Sequence, residues 1–128
     1  MPITIEWGNP EKTYIPEQFE GSWTWEDYLA LDPVENEMMD SVDHKVHIIA
    51  DARDTRLPER ALSYFPKIVE GAVTGNHPNA GLYIIVGASR IIQTFAEIYQ
   101  RVYTGHGQKV RLVKTMEDAL ALIESYEA

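Results

Sequence analysis

Ile3, Ile5 and Trp7 alternate with Thr4 and Glu6, a period of two that predicts a half-buried strand. Gly8-Asn9-Pro10-Glu11-Lys12 is turn chemistry. Thr13 to Glu20 then reads as a second strand with Ile15 and Phe19 on one face, closing an antiparallel hairpin. Pro16 donates no ladder hydrogen bond, which predicts an edge strand or an outward position. After Gly21-Ser22 a helical period begins. Ser22 or Thr24 is the predicted cap, Glu26 and Asp27 suit the first turn, and Trp25, Tyr28, Leu31, Val34, Met38 and Val42 form one stripe. Asp32-Pro33 predicts a kink, or a restart with Asp32 as cap and Pro33 as first residue.

Val46 to Asp51 is a nearly continuous apolar run, the pattern of a strand covered on both faces. Ala52 to Leu57 reads as polar loop. A helix is predicted from Pro58 with Leu62, Phe65, Ile68 and Val69 inward, then a surface loop over Thr74 to Ala80. Gly81 to Val86 predicts a second buried strand. Ser89 can cap a helix whose stripe is Ile91, Ile92, Phe95, Ile98, Tyr99 and Val102, stopped by Gly105-His106-Gly107. Val110 to Val113 is a last strand, and Thr115-Met116-Glu117-Asp118 opens a helix with Leu120, Ile123 and Tyr126 inward. The order ββαβαβαβα implies an α/β fold with a mixed sheet of about five strands and helices packed on it.

At 128 residues the chain has the length of a single domain spanning 1–128. Its 45% apolar and 24% charged residues are a globular balance. The absence of cysteine excludes disulfides, thiol nucleophiles and thiolate metal sites. No apolar run approaches the roughly 20 residues of a membrane span, and no signal peptide is visible, so the expectation is a cytoplasmic domain without membrane insertion.

Charge changes the picture most. Twenty acids and eleven bases give −9, which disfavours nucleic acid as a partner. Residues 1–64 hold fourteen acids and five bases, whereas 65–128 hold six of each. No base stands between Lys12 and Lys45. Within that stretch Glu35, Glu37 and Asp40 are the candidate face for a basic protein partner, on the expectation that they lie off the apolar stripe. A merely solvated helix face is the alternative.

The element order, together with Thr115-Met116-Glu117-Asp118-Ala119-Leu120 opening the last helix and Asp51 ending the central strand, resembles the STAS domain. The matching segments are 9–13, 21–25, 46–51, 82–87 and 115–123. This superfamily includes bacterial anti-sigma-factor antagonists and shares a fold with lipid-binding modules, and the chain looks similar to its uncharacterised bacterial branch. The resemblance implies a regulatory module or, alternatively, a binder of an apolar or anionic metabolite. Antagonists of this type place a phosphorylatable serine after the central strand. Here Arg60 and Ala61 stand at the corresponding turn, with Ser63 two residues further on, so no phosphoswitch is expected.

The remaining candidate chemistry is sparse. His44 and His47 are spaced to diverge if both lie in a strand, and His77 and His106 sit in loops that look exposed; no metal-ligand spacing appears. No Gly-x-Ser-x-Gly elbow is present. No cofactor or catalytic residue is called. Ligands of alternating sheets bind beyond the carboxyl ends of strands. There Asp51, Arg53 and Arg56 leave one predicted strand, and Ser89 and Arg90 leave the next. Arginine forks near helix termini suit an anion, although Arg53 and Arg56 can equally pair with Asp51, Asp54 and Glu59 to brace the loop. Trp23 and Trp25 complete the set, with one of them expected to face solvent or a cleft and to mark a partner surface. The identity of the protein partner or small molecule, and any homo-oligomer, stay open.

Overall fold

The computed structural model describes residues 2–60, 63, 77–102 and 109–126. Its elements are β1 (Ile3–Ile5), β2 (Tyr14–Phe19), α1 (Trp25–Leu29), α2 (Leu31–Asp40), β3 (Val46–Asp51), β4 (Ala80–Val86), α3 (Arg90–Val102), β5 (Val110–Val113) and α4 (Met116–Tyr126). The strands form one mixed sheet in the order β1-β2-β3-β4-β5. β1 runs antiparallel to β2, and every later pair is parallel. Of the helix predicted from Pro58, residues 58–60 are not helical and Ser63 is; the rest of it, the glycine stop at 105–107 and residues 74–76 of the predicted loop lie outside the described residues. No helix among the described residues is long and apolar enough to cross a membrane.

Pro16 lies in an inner strand, not at an edge. The Tyr14 carbonyl accepts from Gly8 N and Glu20 N donates to the Pro2 carbonyl, so even-numbered residues of β2 turn their backbone toward the β1 side. The ladder there ends at the Ile5–Glu17 pair. Pro16 therefore falls just past the last β1 residue, where a missing N–H breaks no ladder bond.

The helical stretch restarts at Leu31, two residues before Pro33. Thr24 and Asp27 form a reciprocal capping box on α1. Ala30 separates the helices and gives α2 no side-chain cap. Pro33 sits in the first turn of α2, where its missing N–H would be unpaired in any case. The restart shifts the phase of the stripe. Leu31, Glu35 and Met39 face inward, whereas Val34 is 47% exposed.

Side chains alternate between two covered faces. Ile15, Met39, Val46, Ile48 and Ala80 form a core under α2. Ile49, Leu82, Ile84 and Val86 form another with Ala119 and Ile123 of α4. This two-sided cover is why β3 reads as an unbroken apolar run.

One polar residue is built into that core. Between the Val46–Ala80 and Ile48–Tyr83 pairs, β4 carries one residue more than β3, a bulge of Gly81 and Leu82 opposite His47. The fully buried His47 ring occupies it, and Nδ1 accepts the Leu82 backbone N–H at 2.8 Å. Tyr126 packs edge-on to the ring at 4.7 Å. A Cβ on Gly81 would lie 2.4 Å from Nδ1, so glycine is required there by the ring's position. Gly81→Ala is expected to cost about 1–3 kcal/mol in urea unfolding through overpacking. Combined with His47→Ala, it should cost less than the sum of the two single changes, since the clash then has no partner.

Candidate functional site

The carboxyl ends of β3 and β4 bring some of the expected anion-site residues together and leave others apart. Asp51 and Arg53 form a two-pronged pair, with Nε donating to Oδ1 at 2.9 Å and Nη2 to Oδ2 at 2.7 Å. The Arg53 side chain also crosses the exit of β4, since a Cβ on Gly87 would lie 2.4 Å from its Cγ. Gly87, at φ +66, holds the turn that lets it pass. Arg56 and Arg90 are exposed. The Ser89 hydroxyl accepts from Ile92 N at 3.4 Å and caps α3. Arg53 is thus engaged as a brace across two strand ends.

Both tryptophans are buried, at 7% for Trp23 and 5% for Trp25, so neither faces solvent. Their rings pack edge-to-face at 5.2 Å beside Phe19 and Tyr28. Trp23 Nε1 donates to the Thr55 hydroxyl at 2.6 Å, and Trp25 Nε1 to the Glu59 carbonyl at 3.2 Å. Indole carries a donor that must be satisfied when buried. Here both donors tie the loop after β3 to the entrance of α1.

The acidic stretch divides into an inner and an outer set. Glu35, expected on the surface, is 2% exposed and turns toward the equally hidden Glu17 of β2 at 1%. The two carboxyl groups stand within hydrogen-bonding reach of each other, and Glu35 Oε2 has no hydrogen-bond partner among the described residues. Tyr83 donates to Glu17 Oε1 at 2.8 Å, and the Tyr28 and Tyr83 hydroxyls meet at 2.6 Å. Because Tyr83 spends its proton on Glu17, Tyr28 is the donor to Tyr83. Burial, then the neighbouring Glu17 charge, pushes Glu35 up to about 12. Burial also raises Glu17, against the hydrogen bonds from Glu35 and Tyr83 that favour its charge. Burial first, and then the Glu17 charge, raise both phenols well above the usual range. Burial of both carboxyls favours a proton held between them.

Glu17, Tyr28 and Tyr83 were not among the expected site residues. A signal for Glu17 existed, since Ile15, Glu17 and Phe19 share one parity of the strand. The outer set comprises Glu26, Glu37, Asp40 and Asp43, all exposed on or beside α1 and α2. Asp40 Oδ1 is met by His77 Nε2 at 2.7 Å, and His77 Nδ1 accepts from Asn79 N, so His77 is tucked against α2 and not free in a loop. A groove of about 580 Å³ also runs along β5 and α4 past Arg111, Leu112, Val113 and Leu122, remote from the expected anion site in sequence. Comparison with protein-family models, with curated proteins and with solved structures found no match to the chain.

The Arg53 hydrogen bond, followed by its backbone bond and charge, holds the Asp51 carboxyl below its ordinary value against partial burial. Its stabilisation is present above the ordinary aspartate pKa and is lost as pH falls through the depressed one. With the Arg53 side chain 51% exposed, solvent screens the pair. Arg53→Ala should therefore return the Asp51 titration, followed by carboxyl carbon NMR, to the usual range while barely moving the melting temperature.

Proposed function

We propose that the chain is a non-enzymatic regulatory or protein-interaction module of STAS-like fold, lacking the usual phosphoacceptor serine. The observation that carries the reading is the set of exposed acids Glu26 on α1, Glu37 and Asp40 on α2 and Asp43 just after it, with Val34 of α2 exposed as well. A surface of one sign steers a partner of the other and acts chiefly on association rate. An exposed apolar side chain within it offers a contact once the partner has arrived. The element order and the single antiparallel strand at one sheet edge support the STAS-like assignment. Arg60 is exposed with φ +65 at the turn where the antagonists carry serine, and Ser63 is exposed.

Two measurements test this. Protein isolated from its own host is treated with a carboxyl-to-amine zero-length cross-linker and analysed by native mass spectrometry. A co-isolated protein whose lysines join Glu26, Glu37 or Asp43 is the expected result. With that partner, Glu26→Lys, Glu37→Lys and Asp43→Lys together should slow association by roughly tenfold or more at low salt and flatten its salt dependence. A bound metabolite in place of a protein, lost on Arg53→Ala with Arg90→Ala, would move the assignment to small-molecule binding. Incubation with anti-sigma-type kinases should leave the intact mass unchanged. Stoichiometric phosphate on Ser63 would overturn the absence of a phosphoswitch.

A further inference from the structure

We propose that α2 is a proton-dependent latch, sealed on the sheet by the one proton that Glu35 holds toward Glu17 and loosened when that proton leaves. The inference does not depend on the identity of any partner. Glu35 stands in the middle of α2 and Glu17 in the middle of β2, at 2% and 1% exposure. Two carboxyl groups can hydrogen-bond to each other only while a proton lies between them. Among the described residues, the titratable and charged groups facing the pair are Tyr83 from β4, Tyr28 from α1 and Asp32 from α2 itself. None of these is a cation. The proton is the only positive charge that this set supplies to a pair removed from water.

The two partners are held unequally, which decides where strain is relieved. Glu17 is locked in a strand paired on both sides, by β1 and β3. Glu35 belongs to a ten-residue helix whose N-terminus has no side-chain cap and which is broken from α1 at Ala30. With the proton in place, Leu31, Met39 and the half-buried Met38 and Val42 settle against the core. Without it, two negative charges face each other in a medium of low dielectric, with Asp32 adding to the repulsion. Lifting α2 restores water to Glu35 at the cost of exposing Leu31 and Met39 and of the bonds from Asn79 and His77 to its C-terminal end. The same helix carries Glu37 and Asp40, so the proton also decides whether that acidic surface is presented on a rigid element.

The direction with pH follows from linkage. The sealed state keeps a proton that an exposed glutamate releases near 4.5. Above that value the open state binds fewer protons, so sealing is strongest in acid and weakens as pH rises. One proton makes the opening constant rise by up to about tenfold per pH unit.

Amide hydrogen exchange of the full chain between pH 5 and pH 8, corrected for intrinsic base catalysis, provides the test. Amides of Leu31–Asp40 should open progressively more, approaching tenfold per unit, while β3 and β4 amides keep their protection. Glu35→Gln retains a donor to Glu17 without a titrating proton and should flatten this slope. Infrared spectra at pH 7 should show the carbonyl band of a protonated carboxyl that Glu35→Gln removes. If Glu35→Gln alone does not fold, Glu17→Gln with Glu35→Gln removes both titrating carboxyls and should flatten the slope in the same way. Protection of α2 that is constant from pH 5 to pH 8, or that falls in step with β3 and β4, overturns the proposal. So does a pH slope that survives in the folded variant.

Discussion

Removing a carboxylate from water costs several kcal/mol unless a proton, a cation or several donors take the place of its hydration. This chain removes two and places them face to face. That choice constrains the architecture around them. It requires Tyr83 of β4 to aim its hydroxyl across the β3 position at Glu17, and Tyr28 of α1 to complete the chain. It also ties the register of α2 to the sheet, because the polar contact forms only where Glu35 stands over Glu17. Apolar packing through Leu31 and Met39 gives affinity between helix and sheet, while the carboxyl pair selects one position among those that packing alone would allow. The formal charge of −9 counts both buried carboxyls as ionised, whereas burial favours the neutral form of each.

The strand pattern was legible because each strand is short and its apolar residues follow a parity that the sheet then uses. The hairpin, the buried strands at 46–51 and 80–86 and the terminal helix stand close to where the periodicity placed them. The phase of α2 was not legible. The stripe from Trp25 to Val42 keeps one phase with its kink or restart expected at Asp32-Pro33, whereas the break comes at Ala30, and Val34 turns outward and Glu35 inward. The burial of Trp23 was hidden for a different reason. Its donor is satisfied by Thr55, 32 residues away, and no local pattern reports a contact of that range.

The same limit applies to the site. Asp51 and Arg53 are two apart and their pairing could be anticipated as one of two alternatives, whereas Tyr28 and Tyr83 meet across 55 residues. The bulge at Gly81 was equally silent, since its cause is a histidine on another strand. In both places the informative residue is a polar one at an inward position, Glu17 in β2 and His47 in β3. Such residues mark where tertiary structure overrides the simple alternation of apolar and polar.

The strand order has a kinetic side. Every strand pairs with its neighbour in the chain, and the parallel partners Tyr14–His47, Ile48–Tyr83 and Tyr83–Val110 are separated by 33, 35 and 27 residues. No pairing waits for the two ends of the chain to meet. Loop closure is therefore incurred in similar small instalments, and each added strand finds its template already laid down by the one before. A sheet of this order can grow from the β2–β3–β4 centre outward.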